Sequence, residues 1–162
     1  MEYTKHETVL REECVTFLTE KGPFGKESLF ADLTFGGGGH TRALLEADTS
    51  YNVLAFDQDP EAVENGKRII SELESPERIK LVHGNFRQFP KVFNDLYGES
   101  KQGLQGVIMD LGVSGHHFDK PERGFSFRFD GPLDMRMNIQ DDDSLKASDI
   151  LNSFSKEDLE SI

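Results

Sequence analysis

A run of four glycines and a distant aspartate are the residues whose types and spacing point most directly to ligand chemistry. The glycines occupy positions 36–39 of the segment FADLTFGGGGHTRALL, between two apolar runs. Because each glycine costs a helix or strand about 0.5–1 kcal/mol relative to alanine, four in succession indicate either a loose turn or a backbone that approaches a ligand closely. Asp57 follows 19 residues beyond Gly38, where another apolar run ends. An acid at a strand end can accept hydrogen bonds from both hydroxyls of a ribose.

The spacing of the glycines excludes the two common phosphate-binding turns. A dinucleotide fingerprint, G-x-G-x-x-G, would need its third glycine at Thr41 or Arg42. A P-loop needs a lysine after the glycines, and none follows there. A glycine turn with an acid at a strand end, but without a phosphate-binding motif, suits a nucleoside that carries no phosphates. S-adenosylmethionine is the common cofactor of that kind. The alternative is that Asp57 is a helix cap or a salt-bridge partner, but its pairing with the glycines favours the ligand role.

The elements that must position these residues alternate between strands and helices. Strands are predicted at 28–35, 52–59, 78–86 and 105–114, and helices at 8–20, at 40–47 and from residue 60. Asp59 followed by Pro60 predicts a helix start, with the acid as N-cap and the proline in the first turn. Helix 8–20 is predicted to be amphipathic. The alternation is typical of βαβ units, and hence of a parallel sheet with helices on both faces.

The composition is that of a globular protein, with 36% hydrophobic and 30% charged residues. A single cysteine, Cys14, suits a reducing compartment, and no apolar run approaches the roughly 18 residues that span a membrane. We therefore expect a cytoplasmic protein without membrane contact; its oligomeric state is left open. The net charge of −12 argues against non-specific nucleic-acid binding. A local site is compatible with residues 120–136, where the charges nearly balance.

Six short motifs, in order along the chain, resemble those of one enzyme family: DLTFGGGGHT, FDQDP, HGNF, MDLGVS, RGFSF and DGPLDMRM. From His6 to Met137 the sequence closely resembles the MraW family, also called RsmH. The resemblance implies an S-adenosylmethionine-dependent methyltransferase that acts on the N4 amino group of a cytidine in small-subunit (16S) ribosomal RNA. It also implies a Rossmann-like class I methyltransferase fold of the α/β class, with flanking helices and strand order 3-2-1-4. Residues 1–137 would be the N-terminal part of the cofactor-binding domain and residues 138–162 the start of a helical insertion, so the chain would be truncated after about four strands.

The resemblance also assigns residues to the cofactor. Carried over position by position, the cofactor-binding residues are Gly38, Gly39, His40, Asp57, Phe86, Asp110 and His117. Phe86 would lie against the adenine; the alternative is a core phenylalanine that ends a strand. His117 departs from the family, which has a glutamine at that position. Two solvated loop histidines, or a metal site of His116, His117 and Asp119, are the alternatives there, and we expect no metal.

Asp110 and Asp134 are the candidate catalytic residues. Cytosine N4 is a poor nucleophile because its lone pair is delocalised into the ring, and a carboxylate that accepts the amino hydrogens brings that pair out of plane. Asp110 closes the fourth predicted strand in DLGV, without the prolines and aromatic residue that many amino methyltransferases have there, so a stacking ring must come from elsewhere. Asp134 and Arg136 are expected to border the acceptor pocket. The alternative is that these two residues pair with each other and fix the loop.

Three phenylalanines alternate in the segment RGFSFRFD. Phe125, Phe127 and Phe129 share one face if the segment is extended. An unpaired RNA base would stack on one of these rings while Arg123 or Arg128 contacts phosphate. The alternative is a strand-like loop that buries all three phenylalanines.

Other classes of function remain as alternatives. The segment FDQDP also resembles the Asp-x-Asp motif of aspartyl phosphatases, with Asp57 as nucleophile and Asp59 as acid–base around magnesium, but Glu61 stands where that motif has threonine or valine. A non-enzymatic fragment that binds cofactor or a ribosomal partner is the second alternative. The apolar fourth strand would lie at a sheet edge. We therefore expect the isolated chain to be incomplete and inactive or nearly so, and to associate through that edge or to show low stability.

Overall fold

The computed structural model describes residues 8–22, 24–25, 27–100 and 103–162. The described residues fall into two compact units, which we call the sheet unit, residues 8–112, and the loop unit, residues 113–162. The functional boundary that we expect at residue 137 stays a prediction.

Four parallel strands form one sheet in the sheet unit. Their bounds are β1 Ser28–Asp32, β2 Tyr51–Asp57, β3 Ile79–His83 and β4 Leu104–Ile108. The order β3-β2-β1-β4 is that of the first four strands of a doubly wound Rossmann sheet and confirms the predicted fold class. The strand order reverses beside β1, and doubly wound sheets bind their ligands outside the carboxyl ends of the strands at such a point.

Within the described residues of the sheet unit, one helix precedes β1 and three helices connect successive strands. They are α1 Arg11–Thr19, α2 Gly39–Ala47, α3 Pro60–Ser71 and α4 Phe89–Tyr97, with 3₁₀ turns at Pro76–Arg78 and Phe86–Gln88. The predicted start of α3 is confirmed, because the Asp59 carboxylate accepts the N–H of Glu61 at 2.9 Å and Pro60 is the first helical residue. No helix within the described ranges is long and apolar enough to cross a membrane.

All four predicted strands exist, but each ends earlier than predicted. They end at residues 32, 57, 83 and 108 instead of 35, 59, 86 and 114. After β1 the apolar run continues beyond the end of the strand, because Leu33 and Phe35 in the following loop are also buried. Apolar sequence thus marks the buried segment there, and only the hydrogen bonds mark where the strand stops.

Apolar side chains cover both faces of the sheet, as expected for parallel strands flanked by helices. Phe30 and Val53 pack beneath α1, α2 and α3, whereas Leu54 and Phe56 lie on the opposite face beneath α4. The prediction of an amphipathic first helix is confirmed only in part, because α1 has no fully buried residue and Phe17 is 73% exposed.

The outer edge of β4 is apolar. Within the described residues β4 pairs with β1 alone. Ile108 is buried, but Val107 is 42% exposed, and beyond the strand Met109 and Leu111 are 44% and 65% exposed. Association of the isolated chain through this edge stays a prediction.

Irregular backbone makes up most of the loop unit. Its helices are α5 Gly115–Phe118, α6 Ala147–Ser153 and α7 Lys156–Glu160, with a 3₁₀ turn at Pro121–Arg123. Ser155 is the N-cap of α7, because its hydroxyl accepts the N–H of Asp158 at 3.1 Å. The N–H of Ala147 donates to the carbonyl of Asp134 at 2.8 Å. The DGPLDMRM segment and the first helix after it therefore belong to one packed structure.

Candidate cofactor and active site

The glycine turn after β1 is tightly packed within the sheet unit. Gly36 and Gly38 have φ angles of 51° and 77°, in the left-handed region that glycine adopts without strain. A Cβ atom on Gly38 would lie 2.7 Å from the ring of Phe35, and one on Gly39 would collide with the side chain of Thr8. The turn therefore needs glycine at these positions for its own conformation and packing, and the loose-turn alternative is wrong.

Asp57 is hydrogen-bonded to the glycine turn. Its Oδ2 accepts the N–H of Gly36 at 2.7 Å, and its Oδ1 accepts the N–H of Asp59 at 2.9 Å. The carboxylate therefore joins the loops that follow β1 and β2. A carboxylate has about four acceptor positions, so a side chain tied to the turn in this way can also accept hydrogen bonds from a ligand.

A buried carboxylate that the sequence reasoning missed lies at the end of β1. Asp32 is fully buried, and its Oδ2 accepts the hydroxyl of Thr41 at 2.7 Å while its Oδ1 accepts the N–H of Thr34 at 3.2 Å. Burial raises the pKa of Asp32 above its ordinary value, and the hydrogen bond from Thr41 opposes that rise. The available signal was an acid inside an apolar run, because a buried charge needs polar partners.

Thr34 connects this network to Asp110. Its hydroxyl oxygen accepts the backbone N–H of Asp110 at 2.8 Å, and the neighbouring amide of Leu33 donates to the carbonyl of Ile108 at 2.9 Å. These bonds hold the chain that leaves β4 beside the chain that leaves β1. Asp110 is exposed there, so its carboxylate is open to a substrate.

His40 is buried, and the N-terminal segment holds its ring. The Nε2 atom lies 3.2 Å from the carbonyl oxygen of Val9, and Thr8 packs on the adjacent Gly39. Leu10 follows with a φ angle of 51°, which is unusual for a residue other than glycine. The segment therefore covers the amino end of α2. This leaves the backbone of His40, rather than its ring, for the predicted cofactor contact.

Phe86 begins the 3₁₀ turn after β3 and is half-buried. It packs against the core cluster that includes Leu54 and Phe56, so it is partly the core phenylalanine of the alternative interpretation. The Asn85 amide donates to Oε1 of Gln58 at 2.7 Å, which ties the loop after β3 to the loop after β2. Contact between Phe86 and an adenine stays a prediction.

The structure thus brings four predicted features to one edge of the sheet. The glycine turn, Asp57, Phe86 and Asp110 follow β1, β2, β3 and β4 respectively, and the carboxyl ends of parallel strands meet at the same edge. Among the described residues, no group of three or more His, Cys, Asp or Glu side chains could hold a metal ion. The chemistry at this edge is that of a carboxylate, an aromatic face and backbone amides.

His116 and His117 lie in the loop unit and are both buried, so the alternative of two solvated loop histidines is wrong. The backbone N–H of Ser114 donates to Nδ1 of His117 at 3.0 Å. This makes Nδ1 an acceptor and puts the proton of the neutral ring on Nε2. Phe125 packs edge-on against the same ring, with centroids 5.3 Å apart. The contact of His117 with the cofactor stays a prediction.

Asp134 and Arg136 pair with each other, as one of the two interpretations predicted. The Nε of Arg136 lies 2.9 Å from Oδ1 of Asp134, and its Nη2 lies 3.0 Å from Oδ2. This forked hydrogen bond lowers the pKa of Asp134. Such a carboxylate is well suited to fixing the loop and is a weak base. A catalytic role for Asp134 stays a prediction.

The three phenylalanines of RGFSFRFD do not lie along an extended strand. The backbone bends at residues 127–129, and Phe127 and Phe129 are 103% and 54% exposed, so the alternative of three buried phenylalanines is wrong. Arg123 is only 2% exposed, because its guanidinium points into the loop unit and donates to the carbonyl of Met137 at 2.8 Å. Of the two arginines considered for phosphate contact, only Arg128 is exposed.

The fold and the candidate site define a Rossmann-like α/β protein. The site has the features of one that binds a nucleoside and lacks a phosphate-binding motif. A model of the MraW methylase family matches residues 3–162. The chain belongs to this family.

Curated relatives agree with this assignment. The chain is 41% identical over 157 residues to ribosomal RNA small subunit methyltransferase H of Cytophaga hutchinsonii, covering 97% of this chain and 48% of the relative. It is also 41% identical over 161 residues to the protein of that name from Lactobacillus gasseri, covering 98% and 49%. The chain therefore spans about half the length of the curated relatives it matches. Among solved structures, the glycopeptide N-methyltransferase MtfA complexed with S-adenosyl-L-methionine aligns at a TM-score of 0.40 and 22% identity, covering 47% of this chain and 32% of that one, which is too weak a likeness to support an inference.

Proposed function

We propose that this chain forms the S-adenosylmethionine-binding part of a methyltransferase that acts on the N4 amino group of a cytidine in small-subunit ribosomal RNA. The observation that carries the proposal is the 2.7 Å hydrogen bond from the Gly36 amide to Asp57, which joins the glycine turn and the strand-end acid in one site. Membership of the MraW methylase family and the names of the relatives support the reaction class and the RNA substrate. Activity on ribosomal RNA implies a cytoplasmic location.

The residues at the carboxyl edge of the sheet fit S-adenosylmethionine better than a phosphate-bearing cofactor. Asp57 offers acceptors for ribose hydroxyls, and the half-buried ring of Phe86 offers an apolar face for adenine. The N–H of Gly38 already donates to the carbonyl of Phe35 at 2.7 Å, whereas the backbone amides of Gly39 and His40, at the start of α2, make no such turn bond within the described residues and are offered to the carboxylate of the methionine moiety. Residues 33–41 contain no lysine or arginine that would neutralise a phosphate.

When bound, S-adenosylmethionine would supply a methyl group from its sulfonium sulfur to a nucleophile placed in line with the carbon–sulfur bond, and the sulfur would keep the bonding electrons as a neutral thioether. The chain must then position the amino nitrogen of cytosine, whose lone pair is delocalised into the ring. In our proposal the Asp110 carboxylate accepts an amino hydrogen, which turns the lone pair out of plane, and later receives the proton. The hydrogen bond from its backbone N–H to Thr34 fixes the chain that carries this side chain. By resemblance we also assign His117 to the cofactor and Asp134 to the acceptor.

Calorimetric titration of the chain with S-adenosylmethionine tests the proposal. Asp57→Ala should weaken binding by about 1–3 kcal/mol, because charge-assisted hydrogen bonds to the ribose are lost. Asp48→Ala is the matched control. The Asp48 carboxylate also accepts two hydrogen bonds, both from Ser50 at 2.8 Å, but it lies before β2, at the opposite end of the strands. This control should bind as tightly as the unaltered chain.

Thermal unfolding of each variant shows whether a loss of affinity comes from a loss of structure, since Asp57 also holds two backbone amides. Asp57→Asn, which keeps a carbonyl acceptor without the charge, should bind with intermediate affinity. Equal affinity of Asp57→Ala and the unaltered chain would remove Asp57 from the site. A preference for NAD over S-adenosylmethionine would overturn the proposed function.

A further inference from the structure

Residues 125–130, FSFRFD, form a loop that we call the aromatic loop, and closely packed glycines stand at both of its ends. Gly124 has a φ angle of 78°, and a Cβ atom there would collide with the carbonyl oxygen of Pro132. A Cβ atom on Gly131 would collide with the carbonyl oxygen of Pro121. Backbone is therefore packed on backbone at both ends, which fixes where the loop leaves the loop unit and where it returns.

Buried polar contacts hold the backbone beside these glycines. The guanidinium of Arg123, 2% exposed, donates to the carbonyls of Arg136 at 3.2 Å and Met137 at 2.8 Å. The carbonyl of Arg123 accepts the N–H of Met135 at 3.0 Å. Arg136 is in turn held by its forked contact with Asp134. The aromatic loop thus projects from a base in which backbone and side chains are fixed by hydrogen bonds.

The aromatic loop presents two rings and one guanidinium to solvent. Phe127 is 103% exposed and Phe129 is 54% exposed, whereas Phe125 turns inward against the ring of His117. Arg128 stands between the two exposed rings and is itself exposed. Its backbone N–H donates to Ser126, but within the described residues its guanidinium has no hydrogen-bond or ion-pair partner. A fully exposed phenylalanine contributes almost nothing to the folding of its own chain, because it buries no apolar surface.

We infer that the aromatic loop is a stacking site for unpaired bases of RNA, with Arg128 contacting an adjacent phosphate. Bases stack on exposed aromatic rings largely without regard to sequence, and a guanidinium beside the rings adds the charge that a phosphate requires. Rings carried on a fixed loop base lose little conformational freedom when a base stacks on them. The inference rests on the proposed function, which requires a cytidine to leave its base stack before its amino group can react.

The charges near the loop favour a single strand of RNA over a second copy of this chain or an RNA duplex. The net charge of −12 opposes a second copy of this chain and RNA alike, so the choice of occupant rests on the charges of the loop itself. Exposed acids, Glu122 and Asp130, lie at or near the ends of the loop, so the positive charge is confined to Arg128 between the rings. One cation flanked by two rings matches one phosphate flanked by unpaired bases. A duplex hides the faces of its bases, so the exposed rings could not stack on them.

Tryptophan fluorescence tests this inference, because the chain contains no tryptophan. Phe127→Trp places a unique fluorophore on the aromatic loop, and Phe118→Trp, at a position 40% exposed in α5, is the matched control. A short single-stranded oligocytidylate should quench the fluorescence of the Phe127→Trp variant with saturation and leave that of the Phe118→Trp variant nearly unchanged. The duplex with oligoguanylate and inorganic polyphosphate should quench neither variant. In the otherwise unaltered chain, Phe127→Ala should weaken oligocytidylate binding by about 5- to 150-fold, the value of one stacked base.

A second readout tests the role of Arg128. Arg128→Gln should lower the slope of log affinity against log salt by about 0.7, the value for one phosphate contact on a single strand. Arg42→Gln, at an exposed position of α2, should leave the slope unchanged. Equal slopes for Arg128→Gln and the unaltered chain would overturn the assignment of Arg128.

Three results would overturn the stacking site. Oligocytidylate could fail to quench the Phe127→Trp variant, it could quench the Phe118→Trp variant equally, or the emission of the Phe127→Trp variant could shift to the blue with rising protein concentration in the absence of RNA. The last result would show that the loop is a contact between proteins.

Failure of the proposed function is distinguishable from failure of the stacking site. Calorimetry with S-adenosylmethionine on the same samples reports on the proposed cofactor residues, which include neither Phe127 nor Arg128. Normal cofactor binding without quenching refutes the stacking site only, and quenching without cofactor binding refutes the methyltransferase proposal only.

Discussion

The sheet unit and the loop unit differ in what they bury. Every apolar side chain that is buried among the described residues lies in the sheet unit, between residues 29 and 108. The side chains buried in the described loop unit are those of His116, His117 and Arg123. The sheet unit is therefore stabilised mainly by apolar burial, whereas the loop unit depends on hydrogen bonds of defined geometry and on tight glycine packing.

This difference has a consequence for recognition. The sheet unit buries its core apolar residues but exposes others, among them Phe17 and the residues at the outer edge of β4, and the polar groups of its candidate site lie at the strand ends. The loop unit buries arginine and histidine and exposes Phe127 and Phe129 instead. A unit with polar contacts in its interior and aromatic rings on its surface is better suited to binding a partner than to stability.

Removing a core ring should give the largest effect and would test whether apolar burial dominates the sheet unit. Phe30 is fully buried, with its ring centroid 4.9 Å from that of Tyr51 and 5.8 Å from that of Phe24. Phe30→Ala should lower the free energy of unfolding by about 3–5 kcal/mol in urea denaturation followed by circular dichroism. The matched control, Phe127→Ala, should change it by less than about 0.5 kcal/mol. Equal losses would show that the two units do not differ in this way.

Replacing the buried arginine should have an intermediate effect that is confined to the loop unit. Arg123→Met leaves the carbonyls of Arg136 and Met137 without these donors, which should cost about 1–3 kcal/mol of local stability. Trypsin should then cleave after Arg128 faster, because local opening exposes the chain to proteolysis. Arg42→Met, which replaces an exposed arginine of α2, should leave this rate unchanged. If Arg123→Met also lowered the urea midpoint of the sheet unit, the two units would share one stabilising network.

The smallest expected effect concerns Asp32 in the sheet unit and Asp134 in the loop unit, whose pKa values are shifted in opposite directions. Burial raises the pKa of Asp32 above 3.8, so the folded chain binds more protons than the unfolded chain between 3.8 and the raised pKa. Stability should therefore fall as pH rises through that interval and then level off. Asp32→Asn keeps an acceptor for the Thr34 amide, so it should remove this fall and change stability at pH 7 by less than about 1 kcal/mol.

Asp134→Asn is the matched control, because the pKa of Asp134 is lowered by the hydrogen bonds from Arg136. Stability from this contact is present above 3.8 and is lost as pH falls through the lowered pKa. The control should therefore keep the fall that Asp32 causes. Urea denaturation at a series of pH values measures both variants. A pH dependence that is the same in Asp32→Asn and the unaltered chain would mean that Asp32 is not the group responsible.

Much of the sheet unit could be predicted from the sequence because its signals are local. Apolar runs predicted four strands, and Asp59 with Pro60 predicted the start of α3 from residues that contact each other within one turn. Strand order was available only from the family resemblance, since the residues of β1 and β4 that pair are far apart in sequence. The strand ends were predicted too far along the chain. Apolar composition indicates burial, and buried residues such as Phe35 lie beyond the last residue of the strand.

The sequence by itself determined the fold class, the glycine turn and the acid at the end of β2, because composition and spacing specify backbone conformation locally. Only the tertiary structure decided that Asp32 is buried against Thr41, that His117 faces inward, and that Phe127 faces outward while Arg123 is enclosed. Each of these depends on which segments pack together, and contact between distant residues leaves no periodic trace in the chain. The same residue types would have been equally acceptable in the opposite arrangement, so their positions had to be seen in the folded molecule.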